Sequence, residues 1–198
     1  FLHFGVEPSK ALMGRYRAIN GAMWAAFNRG EISQEALVVE RYRRFLEQEG
    51  IAGDPAAWND YGLHCLARDP VLLPGAEELC RALAGRYPLA LITNGVAFVQ
   101  RERLERSPLR DFFGERVYIS GEMGYRKPEK VYFDRVLADL GAAEERELVL
   151  VIGDSLSSDI QGAVNAGLDS VWLSPEEARA GAVRPTWQVP SLERLGAL

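Results

Sequence analysis

The 198-residue chain is long enough for one large domain, or for a core domain with a smaller insert. Its apolar content of 47% and charged content of 26% are typical of a globular protein. The net charge of −5 argues against binding to a nucleic-acid polymer, which normally needs a basic surface. It does not argue against a small phosphorylated ligand, for which a few well-placed cations are enough.

No apolar run approaches the length needed to span a bilayer, and the start of the chain has no signal-peptide pattern. We therefore expect a cytoplasmic protein that does not bind membranes, present as a monomer or a homodimer. The two cysteines, Cys65 and Cys80, lack C-x-x-C spacing. A disulfide framework and a cysteine-based zinc site are therefore not expected.

Residues 1–69 predict a small helical bundle, because three amphipathic segments follow one another with short turns between them. The segments cover residues 8–29, from Ser33 to about Glu49, and from Asp54-Pro55 to about Arg68. In the first, apolar residues recur every three or four positions. They are Leu12, Tyr16, Ile19, Met23 and Phe27.

The aromatic residues of this bundle allow two interpretations. Trp24, Trp58 and Tyr61 could line a pocket for a flat ring, or they could form part of the core. Aromatic residues on a helical stripe usually belong to the core, and we favour that interpretation.

From residue 70 onwards the sequence alternates between strands and helices. The predicted strands cover residues 89–92, 117–120, 148–152 and 170–173. The predicted helices cover about ten residues after Pro74-Gly75, then 96–106, 128–140 and 159–166, and the tail 185–198 predicts an extended piece with a closing helix. This alternation predicts an α/β fold with a parallel sheet and right-handed crossovers. The run 148–152 is uniformly apolar and predicts a strand buried on both faces.

Polar groups follow three of the predicted strands. They are Thr93-Asn94-Gly95, Lys127 in the loop after Ser120, and Asp154 with Asp159 after Gly153. The carboxyl ends of parallel strands share one edge of the sheet, where ligands bind. A hydroxyl with backbone amides can hold a phosphate, a lysine can neutralise it, and paired carboxylates can hold Mg²⁺.

Each of these features has a structural explanation by itself. Asn94-Gly95 is a strong turn pair, Lys127 could be solvated, and Asp154 could cap a helix. Their occurrence together at successive strand ends favours a phosphoryl-transfer site.

Three segments resemble motifs of the haloacid dehalogenase superfamily, in the expected order and at roughly the expected spacing. The segments Leu91-Ile92-Thr93-Asn94-Gly95, Gly124-Tyr125-Arg126-Lys127-Pro128 and Gly153-Asp154-(x)4-Asp159 are similar to its second, third and fourth motifs. The resemblance covers nearly the whole chain. It implies a helical cap domain over residues 1–69 and a Rossmann-like core domain over residues 70–198.

Weaker and more scattered matches resemble the bacterial noncanonical pyrimidine nucleotidases. They are Asn20-Gly21-Ala22-Met23-Trp24, Asn28-Arg29-Gly30-Glu31-Ile32, Lys127-Pro128-Glu129-Lys130, Pro185-Thr186-Trp187 and Ser191-Leu192. This resemblance implies a Mg²⁺-dependent 5′-nucleotidase that hydrolyses nucleoside monophosphates through an aspartyl-phosphate.

The superfamily resemblance also implies a role for each matched residue. Thr93 would bond the transferring phosphoryl group, with Asn94 and Gly95 beside it in the phosphate-binding turn. Lys127 would stabilise the charge of the phosphoryl group and of the nucleophile. Asp154 would bind Mg²⁺, and Asp159 would serve as an auxiliary metal carboxylate. Thr93, Lys127 and Asp154 are thus the expected catalytic residues.

The chain departs from the superfamily at one point, because it contains no Asp-x-Asp-x-Thr motif. That motif supplies the nucleophilic aspartate and the general acid/base, on a strand that precedes the cap. We expect this strand to be missing from the 198 residues, which by themselves should not turn over phosphate esters.

Other readings of the same residues stay open. One is a hydrolase of another small substrate, such as a sugar phosphate, phosphoglycolate or a 2-haloacid. Asp154 favours a phosphatase over a dehalogenase, since dehalogenases typically lack the Gly-Asp pair of the fourth motif. Another is a non-catalytic protein that binds phosphate and has lost its nucleophile.

Overall fold

The computed structural model describes residues 1–175 and 178–196. The chain divides into two compact units, Phe1–Leu66 and Ala67–Leu198. The division falls within the third helix, three residues before the boundary expected from the sequence.

The first unit contains the three helices that the periodicity predicts. They are α1 (Lys10–Asn28), α2 (Gln34–Glu49) and α3 (Pro55–Arg68), of which α3 continues into the second unit. A serine caps each of the first two helices, since Ser9 accepts from the Leu12 amide and Ser33 from the Ala36 amide. Gly50 ends α2 with a φ of 63°, a conformation that glycine adopts without steric cost.

The aromatic residues of this unit pack mainly into its core. Trp58 is 3% exposed and packs with Tyr42, Phe45 and Leu46, and Trp24 packs against the buried Phe27. Tyr61 is partly exposed and stacks on His3. This arrangement supports the core interpretation for Trp24 and Trp58.

The second unit contains the alternating elements that the sequence predicts, together with two short helices, at residues 110–113 and 120–123, that it does not predict. Its helices are α4 (Ala76–Ala84), α5 (Ala97–Glu105), α6 (Arg110–Phe113), α7 (Ser120–Met123), α8 (Lys130–Asp139), α9 (Gln161–Ala166) and α10 (Leu192–Gly196). Its strands are β1 (Leu91–Thr93), β2 (Val117–Ile119), β3 (Leu150–Gly153), β4 (Asp169–Leu173) and β5 (Trp187–Val189). The last two residues of the predicted closing helix, 197 and 198, lie outside the described residues.

All strand pairings in the described residues are parallel, as predicted. β1 pairs with β2, and β3, β4 and β5 form a second sheet in that order. Within this part of the chain, β1 and β3 therefore each have one edge without a neighbouring strand. Both strands end at the residues that the sequence singles out, Thr93 and Gly153.

The prediction that β3 is buried on both faces is wrong. Val151 is 6% exposed and packs against residues of α8 and α9, whereas Leu150 and Ile152 are 45% and 37% exposed. Successive side chains of a strand point to opposite faces. Among the described residues, only the face that carries Val151 is covered, so a uniformly apolar run does not by itself reveal two-sided burial.

No helix in the described ranges is both long and apolar enough to cross a membrane.

A buried arginine joins the three helices of the first unit. Arg41 is 5% exposed and donates to Asn20 Oδ1 on α1, to Asn59 Oδ1 on α3 and to the Val38 carbonyl on α2. All three partners are neutral, and the guanidinium carbon also lies 5.1 Å from the ring centroid of Tyr42. Removing it would leave these acceptors unsatisfied in the interior.

We expect Arg41→Ala to lower the free energy of unfolding by about 2–3 kcal/mol, because it removes one buried and two partly buried hydrogen bonds from a charged donor. Arg43→Ala is the matched control on the same helix, since Arg43 pairs with Glu40 and Glu47 at the surface. Its expected cost is below about 1 kcal/mol. Denaturant unfolding of both variants tests this, and equal costs would contradict the proposed role of Arg41.

Candidate phosphate-binding site

The ammonium group of Lys127 brings two of the three predicted strand ends together. Its Nζ lies 3.1 Å from the Ile92 carbonyl oxygen in β1 and 2.6 Å from Asp159 Oδ1, after β3. The loop that carries Lys127 follows β2 and α7. Three sequence segments that are far apart along the chain thus meet at one nitrogen atom.

Lys127 and Asp159 form a buried ion pair, with side chains that are 9% and 8% exposed. The second carboxylate oxygen of Asp159 accepts from the Ser155 amide at 3.0 Å. Both oxygens of Asp159 are therefore engaged. The ammonium of Lys127 has three N–H groups, and the third has no acceptor in the described part of the chain. One charged donor is thus left for a ligand.

The backbone after β3 brings Asp159 close to the strand. Leu156–Ile160 form a π-helical turn, a feature that often occurs at functional sites. Gly153 allows this close approach, because a Cβ atom there would lie 2.5 Å from Asp159 Cγ. The glycine before Asp154 is therefore required for space rather than for an unusual backbone angle.

The turn after β1 is held from within the protein. The Asn94 side chain accepts from the Lys127 amide at 2.9 Å and donates to the Lys127 carbonyl at 2.7 Å. The Gly95 amide donates to Ser120 Oγ, and the Thr93 amide donates to the Tyr132 hydroxyl, both at 3.2 Å. The Asn94 side chain and the Gly95 amide are therefore occupied by protein partners.

Two donors of this turn remain. The Thr93 hydroxyl and the Asn94 amide have no hydrogen-bond partner within residues 1–175 and 178–196. A hydroxyl and a backbone amide beside a lysine ammonium suit a phosphoryl group, which has oxygens to accept all three.

The Asp154 carboxylate is exposed and has no hydrogen-bond partner in the described ranges. Its backbone carbonyl accepts from the Trp172 indole N–H at 3.0 Å, which ties the residue to β4. Nowhere among the described residues do three or more His, Cys, Asp or Glu side chains form a metal-binding group. The donor set fits a hard cation that takes one protein carboxylate and completes its shell with water and phosphate oxygens, as Mg²⁺ does.

Sequence reasoning missed three residues that hold this site together. Ser120, Tyr132 and Trp172 each bond a backbone group of a motif residue. All three side chains are buried. Their positions carry no motif and match ordinary core periodicity, so only the folded chain identifies them.

The chain is similar to known hydrolases over nearly its whole length. Residues 7–167 match the haloacid dehalogenase-like hydrolase family. The pyrimidine 5′-nucleotidase YjjG of Escherichia coli is 35% identical over 199 residues, which cover 100% of this chain and 87% of YjjG. The pyrimidine 5′-nucleotidase PynA of Streptococcus pneumoniae is 32% identical, covering 96% of this chain and 81% of PynA.

A solved structure extends the agreement to the fold. The magnesium-bound crystal structure of the putative HAD-hydrolase YfnB from Bacillus subtilis superposes with a TM-score of 0.89 and 31% identity. The match covers 96% of this chain and 83% of that one. The chain belongs to the haloacid dehalogenase-like hydrolase family. The α/β fold class with a helical unit, and the resemblance read from the three motifs, are thereby confirmed.

We expect Gly153→Ala to weaken the site, because the new methyl group would displace the Asp159 carboxylate from Lys127. The overlap should cost about 1–3 kcal/mol of stability. Gly85→Ala is the control, since a Cβ atom at Gly85 meets nothing within 4 Å. Thermal unfolding and phosphate binding of both variants are the measurements. If Gly153→Ala matched Gly85→Ala in both, the close approach would have no importance.

Proposed function

We propose that the chain is the phosphate- and magnesium-binding part of a phosphomonoesterase that acts on nucleoside 5′-monophosphates through an aspartyl-phosphate. The observation that carries this proposal is the meeting of the Lys127 ammonium with the end of β1 and with Asp159. That cluster leaves one charged donor, one hydroxyl and one amide for a phosphoryl group.

The role proposed for each residue follows from which of its polar atoms have a protein partner and which do not. The Thr93 hydroxyl and the Asn94 amide donate to phosphoryl oxygens, and Lys127 neutralises charge on the same group. Asp159 orients Lys127, because both of its oxygens are engaged. Asp154 is the carboxylate available to hold Mg²⁺, which when bound neutralises charge on the transferring phosphoryl group.

The substrate class rests on the relatives. YjjG and PynA are both named pyrimidine 5′-nucleotidases, and the chain covers more than four fifths of each. The free groups described above suit a phosphoryl group and include none assigned to a base or a sugar. Selection among nucleotides is therefore assigned to residues outside this cluster.

The nucleophile requires a further proposal. The 198 residues contain no Asp-x-Asp-x-Thr motif. We propose that the nucleophilic aspartate lies on an additional strand that pairs with the open edges of β1 and β3. Within the described residues, β1 and β3 each have an edge without a neighbouring strand, and an additional strand would bond the backbone groups of those edges.

The test of the activity is phosphate release from uridine 5′-monophosphate by protein made from the complete reading frame. We expect turnover that needs Mg²⁺ and falls at least about 100-fold in Asp154→Asn, because that carboxylate holds the ion. Asp111→Asn is the control, since the Asp111 side chain is 92% exposed. It should retain wild-type turnover.

Three outcomes would overturn this proposal. Retained activity in Asp154→Asn would remove the metal assignment. Halide release from a 2-haloacid without Mg²⁺, with no phosphate release, would identify a dehalogenase. Binding of inorganic phosphate without any turnover would identify a non-catalytic protein.

Intact mass spectrometry of the same preparation tests the additional strand. We expect a mass above 22.0 kDa by about 2–3 kDa, which is enough for one strand with its motif loop. A mass of 22.0 kDa would contradict a nucleophile carried on the same chain.

A further inference from the structure

The hydroxyl of Tyr132 lies at the carboxyl end of the β1–β2 pair. It accepts from the Thr93 amide at 3.2 Å and donates to the Tyr118 carbonyl at 2.7 Å. In the register of this pair Thr93 lies opposite Ile119, so its N–H faces the carbonyl of Tyr118, the preceding residue. The Tyr132 hydroxyl therefore bonds both the Thr93 N–H and the Tyr118 carbonyl, at the end of the β1–β2 pairing.

The hydroxyl is fixed in this position by burial. Tyr132 is 0% exposed and packs in the core cluster that includes Phe133, Val136 and Val151. Burial raises the pKa of the Tyr132 phenol above its usual value, so the group keeps its proton and can donate to the carbonyl. Its ring cannot turn away without disturbing a close-packed interior.

A buried tyrosine hydroxyl commonly has a hydrogen-bond partner, so the presence of a partner does not by itself indicate a functional role. The partners set Tyr132 apart. One of them is the amide of Thr93, whose own hydroxyl is among the few donors left for a ligand. Tyr132 lies in the first turn of α8, the helix that begins three residues after Lys127.

We propose that Tyr132 is a positioning residue, which holds Thr93 so that its hydroxyl and the Lys127 ammonium address the same phosphoryl group. This inference rests on the phosphomonoesterase function proposed above. Tyr132 touches no substrate in this arrangement. It acts only through the backbone of Thr93.

The variant that tests this is Tyr132→Phe, with Tyr118→Phe as the matched control. Tyr118 belongs to the same core cluster, and its hydroxyl bonds Asp139 rather than a residue of the site. Each variant loses one buried or half-buried phenolic hydroxyl. We expect Tyr132→Phe to lose at least about 10-fold in kcat/KM and in competitive inhibition by inorganic phosphate, since small displacements of a binding group are costly. Tyr118→Phe should change both by less than about twofold.

A double-mutant cycle with Thr93→Val separates positioning from a general loss of stability. If Tyr132 acts through the Thr93 hydroxyl, Tyr132→Phe costs nothing further once that hydroxyl is gone. A purely structural role would give the same loss in both backgrounds, and that additivity would overturn the inference.

The remaining outcomes are also decisive. A wild-type protein that neither releases nor binds phosphate overturns the proposed function and this inference together. An active wild type with equal kinetics for Tyr132→Phe and Tyr118→Phe overturns this inference alone. Hydrogen exchange at the Thr93 amide adds a measurement that does not depend on activity. Faster exchange is expected in Tyr132→Phe than in Tyr118→Phe, and equal rates in the two variants would overturn the contact.

Discussion

The buried ion pair between Lys127 and Asp159 is the contact on which the arrangement of the site depends. Removing two charges from water is costly, and a buried pair is seldom retained for stability alone. Here the lysine also bonds the Ile92 carbonyl, so one ammonium links β1 to the turn after β3. In the described residues these strands belong to separate sheets. The link at their carboxyl ends places polar groups from both sheets within reach of one ligand.

The surrounding side chains act mainly on the backbone. Asn94 holds the main chain of Lys127, Ser120 and Tyr132 hold the turn after β1, and Trp172 holds the carbonyl of Asp154. Most of the polar groups around the Lys127–Asp159 pair are engaged in these hydrogen bonds. Within the described residues, the groups without a protein partner are one N–H of Lys127, the Thr93 hydroxyl and the Asn94 backbone amide, which suit an oxyanion, and the Asp154 carboxylate, which suits a cation. The candidate site is therefore defined by the groups that these protein contacts leave without a partner.

The same hydrogen bonds also distinguish residues that look alike in the sequence. Asn94 and Gly95 belong to the same motif as Thr93, yet the Asn94 side chain and the Gly95 amide face protein partners. Asp154 and Asp159 are both motif aspartates, yet one carboxylate is free and the other is engaged at both oxygens. A motif identifies residues that are close together in the sequence. Hydrogen bonds from distant segments determine which atoms of those residues are available to a ligand.

Sequence patterns predict the helices other than α6 and α7, the parallel strands, and the three strand ends at which the candidate site residues lie. Apolar periodicity, serine caps and glycine at helix ends are local signals that indicate each element. The parallel arrangement follows from the alternation of strands and helices along the chain. Three features became visible only in the folded chain: the exposed face of β3, the pairing of Asp159 with Lys127, and the contact between Tyr132 and Thr93. Residues 132 and 93 are 39 positions apart. Contacts of that kind depend on how helices pack on strands in three dimensions, and no local pattern encodes them.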